Sequence, residues 1–131
     1  MNLQQFLNAR DLNETKNIVI SERIVIDDKP AEFTIKALTE NEAEDVLQRC
    51  TKRSKSGTKL NNSRYLRLVA VAGTVNPNFS DSKSLSELGC RTSEEYIKKV
   101  LLPGEIAVLA EQILDISGYS DLENLKEQAK N

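Results

Sequence analysis

A chain of 131 residues with 20 acidic and 18 basic side chains has a net charge of −2, and 39% of its residues are hydrophobic. That length suits a single domain over residues 1–131 with one modest core, and the near-balance of charge argues against a disordered tail or a nucleic-acid coat. The chain has no histidine, which removes the commonest metal ligand and the side chain best suited to proton transfer near neutral pH, so Ser-His and Cys-His nucleophilic schemes are excluded.

In chain order, Leu3, Phe6 and Leu7 have i, i+3, i+4 spacing and predict a short N-terminal helix that docks by those three side chains. The opening MNLQQFLNARD lacks the basic start and long apolar centre of a signal peptide, and no apolar run reaches the ~20 residues that span a bilayer, so a cytoplasmic location is expected. Residues 16–26, KNIVISERIVI, are rich in β-branched side chains. After the turn signal DDKP, the segment AEFTIKAL alternates Phe33, Ile35 and Ala37 against Glu32, Thr34 and Lys36, and the pair reads as a β-hairpin. Glu22 breaks the phase of Ile18, Ile20, Ile24 and Ile26, which predicts a bulge or twisted edge there.

Thr39 and Glu42 form a capping box that opens a helix with Ala43, Val46, Leu47 and Cys50 on one face. Cys50 is then a small core residue, and Cys50 and Cys90 read as free thiols rather than a disulfide. From Lys52 to Lys59 the run KRSKSGTK has no apolar anchor and predicts an exposed flexible loop over about residues 52–63. Its sharper reading is a small nucleic-acid-binding regulator with Lys52, Arg53, Lys55 and Lys59 on phosphates, against which stands the lack of interleaved aromatic side chains. Residues 64–75, RYLRLVAVAGTV, are apolar nearly all round, as in an element buried on several sides. Leu66, Val69, Ala70 and Gly73 fit a helix and Leu68, Val69 and Val71 a strand; helix is favoured, capped by Asn61 or Ser63 and ended at Asn76-Pro77. Asp81 caps a further short helix with Leu85 and Leu88, stopped by Gly89.

The strongest structural signal is Thr92 to Tyr119. Thr92 with Glu95 is a capping box, Pro103 suits a first helical position and breaks the chain from the helix before it, and Gly118 marks a left-handed stop. Between them Ile106, Leu109, Ala110, Ile113 and Leu114 form one apolar stripe, for which Tyr96, Val100 and Leu101 supply part of the partner surface. Pro103, Gly104, Leu109, Ile113 and Gly118 are therefore read as structural. Ser120 with Glu123 starts a last helix, Ser120 to Lys130, whose narrow edge of Leu122, Leu125 and Ala129, together with Tyr119, is the candidate partner-binding surface. That helix is either a detachable element for capture or self-association, hinged at Gly118, or a plain terminal helix on its own domain. Glu94, Glu95 and Glu105 sit in first turns, where capping explains them, so no enzyme, cofactor or metal site is expected. The residues alone thus predict an α+β fold, mostly helical, with an N-terminal β-hairpin packed on a bundle of about five helices.

Five segments in order carry a further resemblance: Val19-Ile20-Ser21-Glu22-Arg23; Cys50-Thr51-Lys52-Arg53; Ala72-Gly73-Thr74-Val75 followed by Pro77-Asn78-Phe79; Leu101-Leu102-Pro103-Gly104-Glu105; and Ile116-Ser117-Gly118-Tyr119. The sequence resembles the XkdN-like family of phage tail assembly chaperones over nearly its whole length, with Ser54 to Ser63 departing from the pattern. The resemblance implies a non-enzymatic protein of a phage or prophage that binds the tail tape measure protein, keeps it soluble while tail tube subunits assemble, and is absent from the finished virion. It also implies a frameshift-extended form of the same protein, of which this chain looks like the short form, and admits contact with the tube protein and self-association.

Overall fold

The computed structural model describes residues 1–119, and the helix expected from Ser120 to Lys130 lies outside them. The architecture is α+β and mostly helical. Helix α1 (Leu3–Ala9) is locally determined: Asn2 Oδ1 accepts from the Gln5 amide and Gln5 Oε1 accepts from the Asn2 amide, each at 2.9 Å. The expected docking of this helix is not found among the described residues. Leu3, Phe6 and Leu7 are 73%, 54% and 51% exposed, and the inner face of the sheet, Phe33 and Ile35, is closed by the last described helix instead.

Strand β1 (Thr15–Ile18) leads by way of β2 (Val25–Ile26) and β3 (Lys29–Pro30) to β4 (Phe33–Lys36). β1 and β4 pair antiparallel as the alternation predicts, with Ile18 opposite Phe33. The DDKP signal, however, closes a different hairpin. Asp27 and Asp28 both have positive φ, 53° and 65°, the geometry of a two-residue primed turn, and such a turn joins only immediate neighbours, here β2 and β3. Between β1 and β2 the chain buries Ile20 and then turns, with Ser21 Oγ accepting from the Arg23 amide at 3.1 Å. The break of phase at Glu22 is therefore a turn and not a bulge, and Ile26 beyond it is exposed.

Helix α2 (Glu40–Cys50) starts at the Thr39–Glu42 box and buries Val46 and Cys50, while Leu47 stays exposed. The basic run expected to be a loop is a second hairpin, β5 (Thr51–Ser54) with β6 (Gly57–Leu60). The Asn61 amide donates to the Cys50 carbonyl at 2.9 Å, which continues the ladder inward between α2 and the next helix, and Gly57 takes the turn with φ 118°. The backbone ladder holds this element without an apolar face. Helix α3 (Asn62–Gly73), capped by Asn61 Oδ1 accepting from the Arg64 amide at 3.1 Å, is packed by three other helices, as a run apolar nearly all round requires. Its helical pattern stops at Gly73. Thr74–Asn76 is strand β7, which pairs antiparallel with β4 through a register shift at Thr34 and Ile35 and makes a three-stranded sheet in the order β1-β4-β7.

Helix α4 (Ser82–Glu87) is capped by Asp81 and followed by Gly89 at φ 66°. Helix α5 (Ser93–Val100) has Thr92 Oγ1 accepting from the Glu95 amide at 3.2 Å, but the Glu95 carboxylate reaches the Arg91 amide at 2.9 Å, one residue further back than expected. Ile97 and Leu101 face inward and Val100 does not. Helix α6 (Pro103–Ile116) follows two extended residues, Leu101 and Leu102, and its stripe of Ile106, Leu109, Ala110 and Ile113 is buried against α3 and β4. Glu94 ties α5 to α3, its carboxylate lying 2.9 Å from Arg64 Nε and 3.6 Å from Arg67 Nε. Phe79, buried beside Tyr96 with ring centroids 6.1 Å apart, pins the segment before α4 to α5.

Candidate partner-binding site

The segment after α1 and the exit of α6 come together at the Ala37–Leu38 link between β4 and α2. The residues after α1, Arg10 to Lys16, line a cleft of about 380 Å³ with Ala37 and Ile116. An adjoining cleft of about 240 Å³ is lined by Leu38, Thr39, Glu40, Ala43, Ser117, Gly118 and Tyr119. Ser117 joins the two sides: its Oγ accepts from the Leu38 amide at 2.8 Å and donates to the Ile113 carbonyl at 2.6 Å. Gly118, at φ 97°, then turns the chain off α6, and Tyr119 leaves it partly exposed. Burial pushes the Tyr65 hydroxyl above its ordinary pKa, and the nearby Tyr119 hydroxyl pushes it the same way.

One ion pair braces this end. Lys36 Nζ donates to both Glu42 carboxylate oxygens at 2.9 and 2.8 Å, and Glu42 Oε1 also accepts from the Thr39 amide at 3.1 Å. Burial acts to raise the Glu42 pKa, but the hydrogen bonds from Lys36 and Thr39 and the Lys36 charge outweigh it, and the net value lies below the ordinary 4.5. A depressed carboxylate stabilises the fold fully above its unfolded value and loses that contribution as pH falls through the folded one. The melting temperature should therefore fall on acidification below about pH 4.5, and Glu42→Gln should be less stable than wild type at neutral pH and show a shallower acid limb. Thermal melts of both proteins across that range check the sign.

Of the candidate partner-binding residues, Tyr119 lies at this site, whereas Leu122, Leu125 and Ala129 lie outside the described residues. Of those read as structural, Leu109 and Ile113 are fully buried, Pro103 opens α6 and Gly118 takes the left-handed turn. Gly104 is different, since a Cβ there meets nothing within 4 Å and packing does not require the glycine. Leu12 was not marked by any sequence pattern and Ser117 stood only within the Ile116–Tyr119 segment of the resemblance, yet Leu12 lines the larger cleft and Ser117 anchors the smaller. A second apolar surface lies apart from these, a groove of about 460 Å³ between Ile20, Leu102, Pro103 and Val108 with Arg23 and Glu105 at its rim.

No three Cys, Asp or Glu side chains of the described residues converge as a metal site. Cys50 and Cys90 are free, and burial pushes the Cys50 thiol up, away from the nucleophilic thiolate. The carboxylates of Glu95 and Glu105 accept from the Arg91 and Leu102 amides, and Glu94 holds two arginines.

Similarity to known proteins bears on what these surfaces serve. A family model described as phage XkdN-like tail assembly chaperone protein matches residues 3–130. The chain belongs to this family of phage tail assembly chaperones. The fold has a solved relative in the crystal structure of the protein yqbn, with a TM-score of 0.70 and 23% identity over 90% of this chain and 97% of that one. That likeness shows the fold alone. No curated protein matches the chain. The matched span takes in both α1 and the exit of α6. No helix among the described residues is long and apolar enough to cross a membrane.

Proposed function

We propose that this chaperone binds the tail tape measure protein in the cytoplasm of the bacterial host, keeps it soluble while the tail tube assembles, and leaves before the virion is complete. The observation that carries the reading is the uncovered stripe of Leu3, Phe6 and Leu7 on a helix well capped at its N-terminus. Three large apolar side chains aligned on one face and exposed together mark a surface that a partner covers. A long helical protein with an apolar face is the complement such a stripe fits. In the sequence beyond Tyr119, Leu122, Leu125 and Ala129 recur at helical spacing and offer a second candidate edge. The role needs no catalysis.

The test is co-purification of the tagged full-length chaperone with its tape measure protein at low and at moderate salt. Co-purification at both is expected, since apolar contact resists salt. Leu122→Ser with Leu125→Ser should weaken capture while the melting temperature changes little. A large fall in melting temperature would make those residues core, and failure of the wild-type pair to co-purify at either salt would overturn the reading.

A further inference from the structure

Seven of the 18 Lys and Arg residues lie between Val46 and Ser80, a stretch with no Asp or Glu. The whole chain carries −2, so the remainder carries −9. Three of the seven have acidic neighbours: Arg64 and Arg67 share Glu94, and Arg49 lies 3.9 Å from Asp45. The other four, Lys52, Arg53, Lys55 and Lys59, all stand exposed on the β5–β6 hairpin and form no ion pair among the described residues.

The fold does not account for this arrangement. Lys52 and Lys59 are directly opposite in the ladder, where like charges repel and weaken the pairing. The hairpin gives no residue to the core, so no packing gain offsets the repulsion. At its base Arg49, Lys52, Lys59 and Arg64 surround a cleft of about 220 Å³ that also exposes Leu60. Four cations around an apolar side chain make a receptor for carboxylates flanking an apolar residue.

We propose that the β5–β6 hairpin is a docking arm for an acidic segment of a partner protein, with Lys52, Lys59 and Arg49 on its carboxylates and Leu60 on its apolar side chain. The chemistry and size of the hairpin favour protein over nucleic acid. The hairpin has no aromatic side chain on which a base could stack, its strands of four residues span only about 13 Å, and a polyphosphate extending beyond it would meet the −9 of the remaining chain. The arm is a separate surface from the α1 stripe, so its failure would leave the tape measure reading standing.

The experiment uses the full-length chain and a short fluorescent peptide of Glu and Leu, with a single-stranded oligonucleotide of matched charge as competitor. Peptide binding at low salt that weakens as salt rises is expected. Lys52→Glu with Lys59→Glu should lose about tenfold or more in affinity, whereas Lys29→Glu with Lys83→Glu, the same change of net charge at two exposed positions elsewhere, should bind as wild type. Lys52→Glu alone turns a repulsive cross-strand pair into an attractive one, so its melting temperature should hold or rise while binding falls. A purely structural role for Lys52 would not separate the two. Absence of peptide binding at low salt, equal loss in both charge-reversed variants, or tighter binding of the oligonucleotide would each overturn the proposal.

Discussion

Leu109→Ala is expected to cost about 2–5 kcal/mol. At about 4 °C per kcal/mol for a chain of this size, that is a fall in melting temperature of about 8–20 °C. Leu109 is fully buried in the middle of the α6 stripe, between Ile106 and Ile113 and among the core residues of α3 and the sheet. Truncation removes three carbons from an interior without solvent access. The loss therefore comprises the transfer term and a cavity that helices fixed on several sides relax into only partly. Val108, the neighbouring residue, points to the groove beside Ile20 and is 38% exposed, and Val108→Ala should cost under about 1 kcal/mol. Equal losses at the two positions, read from denaturant or thermal melts, would contradict the assignment of the stripe to the core.

Gly73→Ala is the other substitution with a large expected effect, and there the sign itself is at issue. Alanine is favoured over glycine inside a helix by about 1 kcal/mol, an advantage that shrinks at Gly73, the last residue of α3. Against it, a Cβ at this position would run into Ile113 Cγ2, with Ile113 Cδ1 at 2.8 Å and Cγ1 at 2.9 Å. Ile113 is fully buried and has no solvent to rotate into, so α3 and α6 must move apart. Overpacking of that kind costs about 1–3 kcal/mol, and the net effect is destabilising. A double-mutant cycle isolates the contact: with Ile113→Ala already in place, the added methyl occupies vacated space, so Gly73→Ala should become neutral or stabilising. Additive losses would mean that the close approach of the helices is not what requires the glycine.

These two residues mark how far sequence reading carried. The α6 stripe, its proline start and its glycine stop are local features with a strict period, and the structure has them at the expected positions. The caps at Thr39, Asn61, Asp81 and Thr92 are legible for the same reason. Pairing between distant segments is not local. Thr74–Asn76 continues an apolar run that reads as helix, and becomes a strand only because β4 presents an open edge. The tight Asp27-Asp28 turn was visible, but not that a tight turn would enclose only its immediate neighbours. The basic run has little apolar or β-branched content, and the closing hydrogen bond between Cys50 and Asn61 that makes it a hairpin has no sequence signature. Periodicity found the face of α1 but could not say what covers it, because burial depends on the whole fold. Of the candidate site, Tyr119 is marked in the sequence as a binding residue, while Leu12 and Ser117 owe their roles to the convergence of the segment after α1 with the exit of α6.

The α1 stripe is proposed as a surface for the tape measure protein, and the soluble fraction of that protein on co-expression tests this most directly. Leu3→Ser, Phe6→Ser and Leu7→Ser together remove the stripe while leaving the Asn2–Gln5 cap intact. None of the three is buried, so the melting temperature of the chaperone should not change. If a partner buries all three, the contact is worth about 2–4 kcal/mol, and the variant should leave the tape measure protein as insoluble as when it is expressed alone, while the wild type keeps it in solution. A triple variant that solubilises the tape measure protein as well as wild type, at unchanged melting temperature, would contradict the claim.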